Sequence, residues 1–204
     1  MPDLAEELLP DVLLSAPGCP DITAERAIAR SVRQLCIDTH VWRHDATDRP
    51  VIEGVREVSL GLPADTSLVK LYWVTLGMRP LTGVSAAKLT VGEGTPRAYA
   101  LSASGKLELD RVPNESVFRN GITAHMALAP VRGSSQLPEE LEPFYDLVTL
   151  LATAHLLSMP GVEWRDRAGA ADAMALYHQR SLEARRFGNQ RGQPIHRTVK
   201  YGGL

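Results

Sequence analysis

With 204 residues, 44% hydrophobic and 23% charged, the chain can build one ordinary core, or one core carrying a smaller β module, and its composition excludes wholesale disorder. The net charge of −2 excludes the strong overall attraction to nucleic acid or membranes that a markedly basic protein would show. Two cysteines, Cys19 and Cys36, and an opening Met1-Pro2-Asp3 with no basic region before an apolar run predict a protein folded in the cytoplasm, not a secreted disulfide scaffold.

The first twenty residues hold Pro10, Pro17, Gly18 and Pro20, a density of breakers that predicts an extended lead-in with only short turns. A first helix follows, with Asp21 or Thr23 as N-cap and Glu25 in its positive-end turn. Ala24, Ile28, Ser31, Val32, Leu35, Cys36 and Thr39 recur at helical spacing and predict one buried stripe. Residues 1–50 are thus read as lead-in and first helix.

From 51 to 131 the period changes. Residues 51–60, 67–76, 97–102, 106–110 and 122–128 are strand-like and separated by Gly- and Pro-containing turns, with Ser104-Gly105 the best hairpin signal and a short helix at 85–89. Five short strands predict a small antiparallel sandwich or barrel-like module inserted between helices.

Residues 132–187 return to helix. Pro138 fits a first helical position, and Leu141, Phe144, Val148, Leu151 and His155 form one stripe. Leu147, Leu150, Ala154 and Leu157 add a second apolar side, which predicts the central core helix, ended by Met159-Pro160-Gly161. At eleven residues or so, the apolar stretch 147–157 is far short of the roughly 20 that cross a bilayer. A last helix over 168–187 would turn Ala171, Met174, Ala175, His178 and Leu182 inward and place Arg180, Arg185 and Arg186 near its negative end.

Residues 188–204 contain Gly188, Gly192, Pro194, Gly202 and Gly203 and read as an extended basic arm. Ordering such residues costs about 1 to 2 kcal/mol of backbone entropy each, so the arm either frays or docks on a partner. Arg191, Pro194, Ile195, Arg197, Val199, Lys200 and Tyr201 are the candidate docking residues: Ile195, Val199 and Tyr201 as anchors, Arg197 and Lys200 for acidic groups. The two ends of the chain are electrostatically opposite. Only acidic charges (Asp3, Glu6, Glu7, Asp11, Asp21, Glu25) precede Arg26, and only basic ones (Arg185, Arg186, Arg191, Arg197, Lys200) follow Glu183. Such ends pair either within a subunit or with a partner.

No catalytic, cofactor or metal site is predicted. His40 and His44 stand four apart without further ligands and read as a solvated helix end. Cys36 reads as a small core residue and Cys19 as a turn residue. His125, His155 and His178 sit in apolar segments without a Gly-x-Ser-x-Gly elbow and read as structural; a small hydrolase using one of them is the enzyme alternative. Gly92-Glu-Gly94 lacks the Lys-Ser/Thr of a phosphate cradle.

Taken in order, Leu8-Leu9-Pro10-Asp11-Val12-Leu13, Ala16-Pro17-Gly18-Cys19-Pro20, a helix ending in Cys36-x-x-x-x-Val41-Trp42-Arg43, Leu60-x-Leu62-Pro63, and Leu157-x-Met159-Pro160-Gly161 followed by Trp164 resemble the head-to-tail connector proteins of tailed bacteriophages, also called tail adaptor or head completion proteins. The resemblance spans nearly the full chain. It implies an α+β fold: a helical bundle of about three long helices with an inserted small antiparallel β module and an extended C-terminal arm. It also implies a homo-oligomeric ring of twelve copies at the capsid-tail junction of the virion, binding the portal protein through the arm and a tail, neck or nozzle protein on the other side. Genomic DNA would pass through the channel without sequence-specific binding, and no membrane would be involved. A neck or tail-terminator subunit that does not bind portal is the alternative.

Overall fold

The computed structural model describes residues 4–134 and 139–190. In chain order these form helices α1 (Leu4–Ser15) and α2 (Asp21–Thr39), then strands β1 (Arg43–Val51), β2 (Glu57–Val58), β3 (Thr66–Leu76), β4 (Arg79–Gly83), β5 (Gly92–Glu93), β6 (Ala98–Leu101), β7 (Leu107–Leu109), β8 (Arg111–Val112) and β9 (Val117–Pro130), and finally helices α3 (Tyr145–Leu157) and α4 (Arg167–Gln190). One sheet has the order β1-β9-β3-β4-β6-β7-β2, with β4 and β6 parallel and the other neighbours antiparallel. Its edge strands β1 and β2 approach one another, so the sheet is nearly closed. Strands β5 and β8 pair separately.

This corrects the expected fold class. The chain is not a bundle of three long helices with a small antiparallel insert: four helices accompany a large seven-stranded, nearly closed sheet of mixed direction. The sheet begins at Arg43, where sequence reading still has lead-in and helix. Strand β1 is hard to see because it buries only Ala46 and Val51 and carries two register shifts against β9; it is held by cross-strand pairing, not by an apolar alternation of its own. Strand β4 is hidden by Pro80 beside Gly77, which reads as a turn. The Ser104-Gly105 hairpin is present, with Leu101 opposite Leu107.

Strand β9 joins the two cores. Its Ile122, Ala124, Met126 and Leu128 face the sheet interior with Val51, Leu60, Val74, Leu107 and Leu109, whereas Ala129 belongs to the helical core, as side chains alternating across a strand require. Helix α2 lies against β9, and Arg33 ties the two by donating to Ser67 Oγ and to the Pro130 carbonyl.

Helix α1 is the second correction, since the lead-in was expected to be extended. Pro10 lies inside α1 and removes a helical donor. Leu8, Val12 and Ala16, four apart, are nevertheless all buried in the helical core; at about 2 kcal/mol for each large side chain, that burial offsets the lost bond. Helix α2 buries the seven positions expected of it together with Ala27, and ends at His40 in the left-handed region, whose N–H donates to Cys36 O. Its first residue is Asp21, with Pro20 at the N-cap. Burial pushes the Cys36 thiol up to about 12, the behaviour of an inert core cysteine.

Helix α3 touches α1, α2 and α4 and is buried on most sides. A 3-10 turn (Glu139–Phe144) precedes it; the expected start at Pro138 lies outside the described residues. His155 of this helix meets Ser31 of α2: the Ser31 hydroxyl donates to Ala27 O and stands 3.2 Å from His155 Nδ1, so Nδ1 carries the proton and donates to Ser31 Oγ. Burial, and after it the Arg30 charge, lowers the His155 pKa below its ordinary 6.5. The unfolded chain therefore takes up a proton at a higher pH than the folded one, so stability is full above about pH 6.5 and falls as the pH drops towards the lowered folded value. Urea midpoints measured from about pH 7.5 down to about pH 5.5 should decline, and His155→Gln should make the decline shallower; an unchanged slope would remove His155 from the linkage.

Helix α4 buries a stripe in different phase from the expected one. Ala170, Tyr177 and Ala184 are buried and Met174 is half-buried, whereas Ala171, Ala175, His178 and Leu182 are exposed. Tyr177 takes the inward position because its ring fills the core while its hydroxyl donates to Asp38 Oδ2 at 2.9 Å.

Candidate interaction site at the end of helix α4

Helix α4 continues through Gly188 to Gln190, although Gly188 was expected to end helical structure. A glycine is needed there for close approach and not for a turn. A Cβ on Gly188 would lie 2.6 Å from the Thr39 carbonyl oxygen and 3.0 Å from that of His40, where α4 crosses the end of α2. Arg43, the first residue of β1, donates to Gly188 O, and Arg185 Nε donates to Asp38 O at 2.9 Å. Each helix thus has a guanidinium at its negative end, where a cation is favoured. Asp21 begins α2, and Arg185 binds its far end, about 27 Å away at 1.5 Å per residue.

Beside this crossing lies a cluster on the outer face of the sheet. The Arg43 guanidinium sits 3.6 Å above the Tyr72 ring, and Lys70 Nζ is 4.9 Å from the same ring. Register shifts between Leu68 and Lys70 and between Leu71 and Trp73 leave Tyr72 out of step with β9, which gathers side chains that a regular strand would send to opposite faces. His125 lies 5.8 Å from Tyr72 and stacks on Trp73 at 5.5 Å, and its Nδ1 donates to Oδ1 of Asp45, its cross-strand partner. His125 is only 6% exposed, whereas Trp73 is 41% exposed.

Four buried polar atoms here have no hydrogen-bond partner among the described residues: Arg43 Nε and Nη1, the Tyr72 hydroxyl and His125 Nε2. Burial raises the Tyr72 pKa and lowers that of Arg43. It also lowers the pKa of His40 nearby, with Lys70, Arg43 and Arg185 adding to the effect. Each unmade bond costs about 1–3 kcal/mol; the two Arg43 nitrogens and the Tyr72 hydroxyl are donors that suit carbonyl or carboxylate oxygens, whereas His125 Nε2, across the ring from an Nδ1 that donates to Asp45, is an acceptor. His125 with Asp45 also supplies two parts of a nucleophilic triad. The third part, a hydroxyl or thiol at Nε2, is missing among the described residues, and both cysteines belong to the helical core instead.

All seven arm residues singled out from the sequence, Arg191, Pro194, Ile195, Arg197, Val199, Lys200 and Tyr201, lie outside the described residues. His40 caps α2 half-buried and His44 lies on β1, so the chain breaks the helical spacing on which a shared ion would depend. No group of three or more metal-binding side chains occurs among the described residues. His155 binds Ser31 and His178 is exposed at the surface of α4. Among the described residues no helix is long and apolar enough to cross a membrane. Sequence reading missed Arg43, Asp45, Tyr72 and Trp73 as a group, because the strand and the two irregularities that collect them leave no periodic trace. No protein-family model matches the chain, and a search of curated proteins finds no match.

Proposed function

We propose that the chain is a virion structural protein, the adaptor ring subunit that joins the portal of a tailed-phage capsid to the tail and leaves a channel for DNA. The ordered motifs from Leu8 to Trp164 support the family. The observation that carries the docking role is the fixed root of the C-terminal segment. Gly188 is seated on the end of α2 and held by Arg43, so residues 191–204 start from a defined point beside a cationic cluster with unmade hydrogen bonds. A segment that begins at a rigid root loses less entropy on docking than one on a loose tether. The basic residues Arg191, Arg197 and Lys200 would meet acidic groups of the portal, and Ile195, Val199 and Tyr201 would fill pockets.

The root also decides where to truncate. A deletion starting at Gly188 would remove the carbonyl that Arg43 holds, so the informative variant ends at Gln190. In electron micrographs of portal mixed with full-length chain at micromolar concentration, added ring density on the portal is the expected result, and the variant lacking 191–204 should leave portals bare. Retention of the truncated chain would overturn the arm assignment. Two full-length proteins that never associate would overturn the adaptor reading, and binding to tail proteins alone would favour the neck or terminator alternative.

A further inference from the structure

One face of α2 carries a feature that neither core explains. Arg26, Arg30, Arg33 and Arg132 line a groove of about 610 Å³, together with Ala29 and Ile37, and no carboxylate among the described residues lines it. Arg33 is committed to Ser67 and Pro130, but Arg26, Arg30 and Arg132 form no ion pair among the described residues. Ile37 is 38% exposed. Like charges collected at i and i+4 destabilise a helix, so an unneutralised row of this kind calls for an anionic occupant that also covers apolar surface.

The same chain carries the complement. The exposed face of α1 presents Glu7, Asp11 and Leu14, with Leu14 81% exposed and no basic residue anywhere in that helix. We propose that the groove on α2 receives helix α1 of a second copy of this chain. Glu7 and Asp11 repeat at the same four-residue interval as Arg26 and Arg30. The stretch from Arg26 to Ile37 and the whole of α1 are each about 16 Å long at 1.5 Å per residue. With the two helices parallel, the copy's Leu14 comes level with Arg33, one helical turn from Ile37 and from Ala29, and so brings apolar surface beside theirs, which a nucleic-acid backbone would not do. The subunit's own α1 cannot fill the groove: its Leu8 and Val12 are buried in the core shared with Ala24, Ile28, Val32 and Leu35 of α2, on the opposite side of that helix from Arg26 and Arg30. The contact is heterologous, one patch meeting a different one, and such contacts propagate into rings or filaments. It deepens the ring reading by naming the subunit contact, yet it does not depend on what the ring caps.

The test is a charge exchange read by crosslinking. In the full-length chain, Leu14→Cys with Ile37→Cys and a bismaleimide should give a ladder of covalent oligomers, the native Cys19 and Cys36 being buried. Glu7→Arg with Asp11→Arg should cut the ladder about tenfold, and so should Arg26→Glu with Arg30→Glu, since like charges then face each other. Mixing the two variants restores complementarity at both kinds of junction and should restore the ladder. A ladder indifferent to both reversals, or one that the mixture fails to restore while both variants keep a wild-type circular dichroism spectrum and melting temperature, would overturn the proposal. If a reversal unfolds the chain, Glu7→Gln with Asp11→Asn and Arg26→Gln with Arg30→Gln replace it, with partial loss expected and no loss decisive against. Duplex DNA bound in fluorescence anisotropy through Arg26 and Arg30, with the ladder unchanged, would assign the groove to nucleic acid and sink the subunit contact. Crosslinking that behaves as expected beside portals that stay bare would leave this contact standing and remove the adaptor reading; the reverse pair of results would do the opposite.

Discussion

Alanine at Gly121 should destabilise the protein by about 3 kcal/mol, read as a fall in the urea midpoint and a drop in Tm. Gly121 is the point where β1, β9 and β3 converge. Its N–H is donated to Asp48 Oδ1 and its carbonyl accepts from Gly77 N, each at 2.9 Å. A Cβ there would be driven into the Arg49 carbonyl oxygen and would stand 2.9 Å from its carbon. These are backbone atoms of a strand fixed on both sides of a register shift, so none can swing away as a flexible side chain would. Gly105 is the control. Its φ of +76 is unfavourable for alanine, but nothing stands within 4 Å, so Gly105→Ala should cost only about 1 kcal/mol. Equal effects at the two positions would show that β1 yields, and that the close approach contributes nothing.

Gly188→Ala is expected to act differently, because it sits near the end of its helix. The Thr39 and His40 carbonyls that a Cβ would strike are held in the cap of α2, and the cheaper response is for the last turn of α4 to lift away. Stability should fall by about 1–2 kcal/mol, with the Arg43 bond to Gly188 O lost. Hydrogen exchange at residues 184–190 should accelerate more than the loss of global stability accounts for, since the opening is local. On the proposed adaptor role, binding to portal would weaken towards that of the chain truncated after Gln190, because the arm would then start from a moving root. Unchanged exchange in that turn would show that α4 and α2 part elsewhere.

How much of this could be read from residues alone varies with the kind of signal. Helix α2 was legible because one apolar stripe, from Ala24 to Thr39, faces one core. The core helix α3 was legible because Leu and Ala fill most of its sides. In α4 the choice between three- and four-residue steps after Met174 decided between Tyr177 and His178, and a tyrosine that buries its ring while bonding Asp38 through its hydroxyl settles it. Helix α1 was lost behind Pro10, whose local penalty is outweighed by burial that no window of sequence displays. Strand β1 was lost because partners far along the chain hold it. The cluster around Arg43 and His125 was illegible for the same reason: it is made by a strand pairing and two register shifts, and none of its members is unusual alone. Arg26 and Arg30 of α2 lie off the buried stripe, and their lack of an ion pair among the described residues shows only once the fold has placed the acidic residues elsewhere.

The position of β9 in the sheet bears on how the chain is made. Strand β1 leaves the ribosome early but pairs only with β9, whose register partners run from Val117 to Ala127, and β3 likewise waits for β9. The helical layer waits longer still, since α1 and α2 share their core with Leu151, Leu156 and Tyr177. With synthesis at about 5–20 residues per second, β1 spends several seconds unpaired and β3 has only β4 beside it, so the sheet cannot close in sequence order. Contacts this far apart in the chain make for slow folding, and they leave no half-finished subunit able to present one surface before the other exists.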